Sequence, residues 1–215
     1  MPLTIEPGPY MPERAPNAVR WNIHQCRAMQ DAGILSGRHE LIEGEIILMV
    51  GQGPRHAYII VTLTAWLIAL FGAEYTRFQL PIRLLGSDRD SSEPEPDAVV
   101  LSRPASDFLD ATPEASDVCL AIEVSDSTLR FDRSTKAALY ARNLIPEYWI
   151  IDIERRQVYM HRTPGPAGYA DVMVFSASEQ IATLARPDAP VAVADILPPE
   201  SCIKVFRLWT CCRSI

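Results

Sequence analysis

The chain has 215 residues, of which 48% are hydrophobic and 22% charged, and its formal net charge is −7. This composition is ordinary for a soluble globular protein, and the length suits one domain with a core of useful size. The negative charge argues against a generally basic nucleic-acid-binding protein, although a carboxylate cluster that awaits divalent cations would itself add negative charge.

The cysteines and the first residues favour a cytoplasmic protein. Five cysteines form neither a CxxC pair nor the spacing of a zinc site, which predicts reduced thiols. The opening residues, MPLTIEPGPYMPERAP, lack the basic and apolar segments of a secretion signal. Residues 57–73 are 17 residues without a charge, at the short limit for a membrane span, but two threonines interrupt them. We therefore expect a buried core helix there and no membrane segment.

The N-terminal part predicts a helix and a hairpin. Residues 1–14 are Pro-rich and expected to be irregular, whereas 15–32 are compatible with a helix. Gly33 stands where a glycine commonly ends a helix. In residues 39–49, two apolar runs lie on either side of Glu43-Gly44, which predicts a β-hairpin.

A long apolar helix is predicted from Pro54 or Arg55 to about Phe71, with Gly72 at its end. Apolar residues recur in it at steps of three and four, as packing of one helix face requires: Ile59, Leu63, Trp66, Leu67 and Leu70. A strand broken by a proline follows over 75–85, and 86–96 reads as an acidic surface loop.

Strands and a helix alternate over residues 96–153. Asp97 opens a short apolar strand, and Glu123 closes a near-continuous apolar strand over 118–124, which is typical of burial on both faces. A helix is predicted over 131–143 with Asp132 as its cap, and a second buried strand over 147–153. This order predicts a mixed sheet with a crossover helix. Further strands are expected at 157–162 and 169–175.

The candidate chemistry lies in three side chains. Asp97 and Glu123 are carboxylates at the edges of apolar strands, where burial is unfavourable without a partner. If the two strands pair, the acids converge, and two close carboxylates favour a cation between them. Mg²⁺ takes oxygen ligands and keeps several waters, so that one or two carboxylates suffice. Lys136 shares a helix face with Asp132 and Tyr140 and can lean over Glu123.

Together these residues suit metal-dependent, in-line hydrolysis of a phosphodiester. Each residue also has an ordinary explanation. Acids at strand ends are more often solvated or ion-paired, and a lysine on a helix more often lies on a solvated face.

Several motifs occur in one order along the chain: HELIEGEI (39–46), GPRH (53–56), EPEPDAVV (93–100), AIEVSDST (121–128), DxxxKxxxY (132–140) and IPEYWIID (145–152). Over roughly residues 20–185 the chain resembles the Uma-two family of restriction-endonuclease-like proteins, of the PD-(D/E)XK nuclease superfamily. The resemblance implies an α/β fold with a mixed central β-sheet flanked by helices, together with an N-terminal helix and β-hairpin.

The resemblance also implies roles for individual residues. Asp97, preceded by Pro96, matches the acid of the PD motif, and Glu123 matches the D/E position. Ser125 stands where the superfamily usually has its lysine, and Lys136 on the following helix matches a lysine displaced from that place.

The hairpin acids Glu40 and Glu45 match family positions, and one of them would complete the shell of an Mg²⁺ or Mn²⁺ ion. Candidate substrate-binding residues carry weaker arguments: Arg55, His56, Ser125 and Tyr140, with Arg83 as a further phosphate contact. A histidine at a helix start can contact a phosphate, since helix N-termini attract anions, but it can equally well pack or cap the helix.

We expect a nuclease-like domain over 15–200 and an atypical tail over 201–215. The leading hypothesis is a divalent-metal-dependent DNA endonuclease in the cytoplasm, and a homodimer is expected by analogy alone. Two alternatives stay open. One is an accessory binding module that keeps the fold without cleaving, and the other is a metal-dependent hydrolase of small phosphate esters.

Overall fold

The computed structural model describes residues 18–49 and 51–200. Helix α1 (Ile23–Asp31) starts at Asn22, whose side chain accepts from the Gln25 N–H while the Gln25 side chain accepts from the Asn22 N–H. This capping box fixes the helix start, so α1 begins later than the expected residue 15. The helix is followed at Gly33 by a φ of +70°, as the sequence predicts. The irregular segment expected over 1–14 and the tail over 201–215 lie outside the described residues.

The predicted hairpin is present. Strands β1 (His39–Ile42) and β2 (Glu45–Leu48) pair antiparallel, with Ile42 opposite Glu45. The two turn residues, Glu43 and Gly44, have φ values of +51° and +80°. Positive φ at both positions is the requirement of a tight type I′ turn, which Gly44 meets without steric cost, whereas glutamate is not a residue that favours it.

Helix α2 (Pro54–Phe71) also follows its prediction. Pro54 is its first residue, and Gly72 at φ +90° ends it. By length and composition α2 is the one helix among the described residues that could cross a membrane. Its inner face nevertheless packs on the sheet through buried residues, as expected of a core helix: His56, Ile59, Leu63 and Leu67.

The central sheet is mixed, as predicted, and has six strands in the order β3-β4-β5-β6-β7-β8. Among the described strands of this sheet, only β5 and β6 are parallel to each other; the other neighbours are antiparallel. The strands are β3 (Thr76–Phe78), β4 (Ala98–Leu101), β5 (Val118–Ser125), β6 (Glu147–Asp152), β7 (Gln157–Gly165) and β8 (Gly168–Ser176). A second hairpin of β9 (Gln180–Thr183) and β10 (Arg186–Ala192) leads to the short helix α4 (Val193–Ile196).

The strand expected over 75–85 is shorter than predicted. It ends at Phe78, because Gln79 turns the backbone out of the sheet with a φ of +53° and Pro81 follows. The loop that results returns the chain to Asp97 at the start of β4.

The crossover helix α3 joins β5 to β6 and contains a π-helical turn that the sequence analysis does not predict. It consists of Leu129–Phe131, a wider π-turn over Asp132–Lys136, and the α-helix Ala137–Arg142. The prediction that Asp132 caps this helix is wrong. The helix begins two residues earlier than the predicted residue 131, and Asp132 lies inside the π-turn, where its side chain accepts from the Thr128 hydroxyl at 2.6 Å.

Two hydrophobic clusters hold α3 and α2 on opposite faces of the sheet. One joins α3 to inward side chains of the strands, such as Leu139 with Tyr148 and Ile150. The other joins Leu63 of α2 to residues such as Ile122 and Trp149. Alternate residues of β5 and β6 thus face different clusters, which requires apolar side chains on both sides of each strand.

Two leucines, one within α3 and one just after it, test this packing. Leu139 is fully buried, whereas Leu144 is 62% exposed. Leu139→Ala should lower the free energy of unfolding by about 2–5 kcal/mol, because it leaves a cavity in the core. Leu144→Ala should change it by less than about 0.5 kcal/mol, as surface substitutions usually do. Urea denaturation measures both; equal losses would contradict the described packing.

Candidate active site

Antiparallel pairing brings the two predicted acids to adjacent strands. Ala98 of β4 is the partner of Ile122 of β5, so Asp97 lies across from Glu123. The Val124 N–H donates to Asp97 Oδ2 at 2.8 Å. Both carboxylates are buried, at 6% and 5% exposure, and both line one cleft of about 540 Å³.

Lys136 of α3 enters the same cleft from above Glu123. Its Nζ donates to Glu123 Oε1 at 2.9 Å and to Glu40 Oε1 at 2.9 Å. The Tyr140 hydroxyl donates to the same Glu123 oxygen at 3.0 Å. The structure thus places the lysine and the tyrosine together on the helix face that covers Glu123.

Of the two hairpin acids, the structure brings only Glu40 to this group. Its Oε1 also accepts from the Glu95 N–H at 2.7 Å, which ties β1 to the loop that precedes β4. Glu45 lies beside the hairpin turn with a side chain that is 54% exposed, and it pairs with Arg20. Glu45 is therefore not part of the cluster, because the register of the hairpin places it at the opposite end from Glu40.

Asp97 has two further partners. His56 Nε2 lies 3.3 Å from Asp97 Oδ2, and Gln79 Nε2 donates to Oδ1 at 3.3 Å. Burial would raise the pKa of Asp97, but the contacts with His56, the Val124 N–H and Gln79 together hold it below its ordinary value. Asp97 is therefore held ionised. Gln79 is a residue that the sequence does not single out, since its position depends on a backbone turn.

Glu123 and Lys136 have opposite electrostatic situations. Burial raises the pKa of Glu123 well above its ordinary value; the charge of Lys136 opposes this rise, and the charges of Glu40, Asp132 and Asp97 add to it. For Lys136, burial alone would lower the pKa, but Glu123, Glu40 and Asp132 outweigh it and raise the pKa above its ordinary value. The amine therefore stays charged, and the carboxylates around it exceed it in number.

Of the candidate substrate-binding residues, only some line the cleft. His56 lines the cleft, and its Nδ1 is buried without a hydrogen-bond partner among the described residues. Tyr140 and Ser125 are fully buried and do not line the cleft. Tyr140 orients Glu123, and the Ser125 hydroxyl lies 3.3 Å from that of Thr128.

The arginines proposed for phosphate contact also lie away from the cleft lining. Arg55 is exposed at the first turn of α2, and Arg83 is half-buried. Arg38, which the sequence does not suggest, does line the cleft and pairs with Glu95 at 2.8 Å.

One side of the cleft is apolar, which the sequence analysis does not predict. Apolar side chains of the hairpin and of α3 line it beside the acids: Ile47, Leu48, Met49 and Phe131. The cleft therefore combines an acidic floor with an apolar side.

The donors fit a hard divalent cation only with help from outside the protein. Asp97 and Glu123 supply carboxylate oxygens on one cleft, which suits Mg²⁺ or Mn²⁺. Within 18–49 and 51–200, no group of three or more His, Cys, Asp or Glu side chains is arranged so that it could hold a metal ion. A two-carboxylate site of this kind needs water or substrate oxygens to fill the remaining coordination positions.

The fold has a counterpart among solved structures. A crystal structure described as "a putative nuclease belonging to DUF820 from Anabaena variabilis ATCC 29413" superposes with a TM-score of 0.58 at 14% sequence identity, over 78% of this chain and 96% of that chain. At this identity the likeness concerns the fold alone, and it agrees with the mixed six-stranded sheet between helices.

No curated protein matches the chain. A protein family does, over residues 34–194, which include both hairpin acids, β4, β5 and α3. This match covers most of the sequence and confirms the resemblance inferred from the motifs. The chain belongs to the Uma2 family, described as "Putative restriction endonuclease".

Proposed function

We propose that this protein is a divalent-metal-dependent endonuclease that hydrolyses phosphodiester bonds of DNA, with Asp97, Glu123 and Lys136 as its catalytic residues. One observation carries the proposal: the Lys136 amine lies 2.9 Å from Glu123 in a cleft that Asp97 also lines. Membership of a restriction-endonuclease-like family supports a nuclease, and the geometry supports these three residues as its machinery.

The charge of the cleft supports the requirement for a metal. Among the described residues, five acidic side chains line it, against the basic side chains of Lys136 and Arg38: Glu40, Asp97, Glu123, Asp126 and Asp132. A phosphodiester is an anion and would be repelled by this excess of carboxylates. A divalent cation on Asp97 and Glu123, with Glu40 nearby, would reverse that repulsion.

Mg²⁺ or Mn²⁺, when bound, supplies polarisation of the phosphate and a lowered pKa for a coordinated water. The protein's own groups do the rest. The Val124 N–H and Gln79 fix the orientation of Asp97 and keep it ionised. The Tyr140 hydroxyl fixes the carboxylate of Glu123.

Lys136 acts as a cation in this scheme and not as a base. Its two carboxylate partners keep the amine protonated, so it suits stabilisation of negative charge on the phosphate and orientation of the attacking water. Glu40 positions the lysine through its hydrogen bond at 2.9 Å.

DNA is the proposed partner and the cytoplasm the proposed location. A homodimer would present two clefts to the two strands of a duplex. The cleft volume of about 540 Å³ also lies within the range of small-molecule sites, which supports a small phosphate ester as the second candidate substrate. The net charge of −7 favours, in turn, an accessory module that does not cleave.

Plasmid cleavage in Mg²⁺ or Mn²⁺ tests the catalytic residues. Asp97→Asn, Glu123→Gln and Lys136→Met should each lower the rate by at least about 100-fold, since each removes a charge that the reaction uses. Glu45→Gln, which changes the hairpin acid outside the cluster, should leave the rate near that of the wild type. Cleavage that survives in both acid variants, or that does not need a metal, would rule out the assignment.

Salt dependence separates the candidate substrates. With Ca²⁺ in place of Mg²⁺, the affinity for duplex DNA measured by fluorescence anisotropy should fall by more than about tenfold between about 50 and 200 mM salt, because bound phosphates release counterions. Hydrolysis of bis(p-nitrophenyl) phosphate without any DNA affinity would support the small-ester enzyme. DNA affinity without turnover would support the accessory module.

Removal of the Lys136 amine should make stability depend on pH. Lys136→Met leaves Glu123 buried without its cation, so the free energy of unfolding at pH 8 in EDTA should fall by about 3–5 kcal/mol. A carboxyl group whose folded-state pKa is raised binds its proton preferentially in the folded state. Lys136 lowers the pKa of Glu123, so its removal should raise that pKa further, and the deficit relative to wild type should shrink as the pH falls through the pKa of Glu123 in the variant. Urea denaturation of both proteins at pH 5 and pH 8 measures this.

Arg55→Met, which removes an exposed cation, is the control for this experiment. A deficit in the free energy of unfolding that does not depend on pH would contradict the electrostatic account.

A further inference from the structure

The outer face of helix α2 is apolar and solvent-exposed in the described part of the chain. Tyr58 is 44% exposed, Val61 69% and Ile68 38%. These positions follow one another at steps of three and seven residues, so they lie along one side of the helix. Ala65 is exposed on the same side and adds no polar group.

This face lacks the charges that a solvated helix surface normally has. Between Arg55 and Glu74 there is no Asp, Glu, Lys or Arg residue. A helix that is apolar on all sides is normally buried, and a contiguous exposed apolar patch commonly marks a surface that something else covers. The opposite side of α2 already packs on the sheet, so only the outer face needs a cover.

The described chain ends on the α2 side of the sheet. Val193 and Ile196 of α4 belong to the same hydrophobic cluster as Leu63 of α2. Just beyond α4, the Arg156 guanidinium donates to the Pro198 carbonyl at 2.7 Å and lies 3.7 Å from the Glu200 carboxylate. The described chain therefore ends, at Glu200, near the sheet face on which α2 lies.

The sequence of 201–215 complements the outer face of α2. It contains six large apolar residues: Ile203, Val205, Phe206, Leu208, Trp209 and Ile215. It has three basic residues and no acidic one, whereas the whole chain has a net charge of −7. Fifteen residues can extend over about 50 Å, and the 18 residues of α2 span about 27 Å. The segment is long enough both to reach α2 and to lie along it.

We propose that residues 201–215 bind along the outer face of α2 in the same molecule and cover Tyr58, Val61 and Ile68. The apolar composition of the segment matches the apolar surface of the helix, and its positive charge is opposite in sign to the net charge of the chain. This inference does not depend on the nuclease activity. A second copy of the chain and a lipid surface are the other possible occupants, and the experiment distinguishes them.

Cysteine crosslinking in the full chain tests the proposal. Val61→Cys places a thiol on the exposed face of α2, and the segment has its own thiols at Cys202, Cys211 and Cys212. A short bis-maleimide at low micromolar protein should give crosslinks within one molecule, mapped by peptide mass spectrometry. The control is Leu144→Cys, which is exposed on the other face of the sheet. The yield from position 61 should exceed that of the control by about tenfold, since a docked tether holds its partner at millimolar effective concentration.

Two further variants distinguish loss of binding by the segment from a folding defect. Trp209→Asp, added to Val61→Cys, should reduce the intramolecular crosslink toward the control level without altering circular dichroism. In a chain that ends at Glu200, the thiol at position 61 should react faster with a monofunctional maleimide than in the full chain.

Three outcomes would overturn the proposal. Equal yields from positions 61 and 144 would show that the segment does not prefer α2. Crosslinks that form only between molecules and rise with protein concentration would assign the face to a second copy. Co-sedimentation of the full chain with phosphatidylcholine vesicles, lost on Val61→Asp, would assign it to lipid.

Discussion

The candidate site depends on one amine shared by two carboxylates. Lys136 donates to Glu40 and to Glu123, and these three residues come from the hairpin, the central sheet and the crossover helix. A buried amine is stable only where acceptors compensate for its lost hydration, and a buried carboxylate has the reciprocal need. This pairing therefore joins three elements that are distant in sequence, and it also leaves an excess of negative charge in the cleft.

The π-turn within α3 is where this amine is positioned. The Ala137 N–H donates to the carbonyl of Asp132, five residues back, which widens the helix by one residue over a single turn. Such turns occur frequently at functional sites because they change the direction of the side chains around them. Here Lys136 and Tyr140 both reach the same oxygen of Glu123. The strand carboxylate thus has two donors from one helix.

Much of the fold and three residues of the site could be anticipated from the sequence because burial leaves a periodic pattern. β5 and β6 are buried on both faces and therefore appear in the sequence as apolar runs. Gly44 indicates the hairpin turn, because glycine adopts a positive φ without steric cost. Asp97, Glu123 and Lys136 are brought together as anticipated. The sequence does not indicate which of Glu40 and Glu45 joins the acidic cluster, since this depends on which end of the hairpin docks against residue 95. Gln79 and the π-turn depend likewise on tertiary contacts.

The hairpin that supplies Glu40 stands outside the central sheet. Among the described strands, its two strands form a ladder only with each other. The hairpin meets the rest of the protein through the backbone bridge between Leu41 and Glu93, through Ile42 in the hydrophobic core and through the ion pair of Glu40. Two-stranded hairpins have little stability of their own, and such peripheral units open at lower free energy than a core sheet does. The acidic cluster is consequently shared between the central sheet and a hairpin docked on it. Loss of this docking would separate Glu40 from Lys136 and leave Glu123 as the remaining ion-pair partner of the amine.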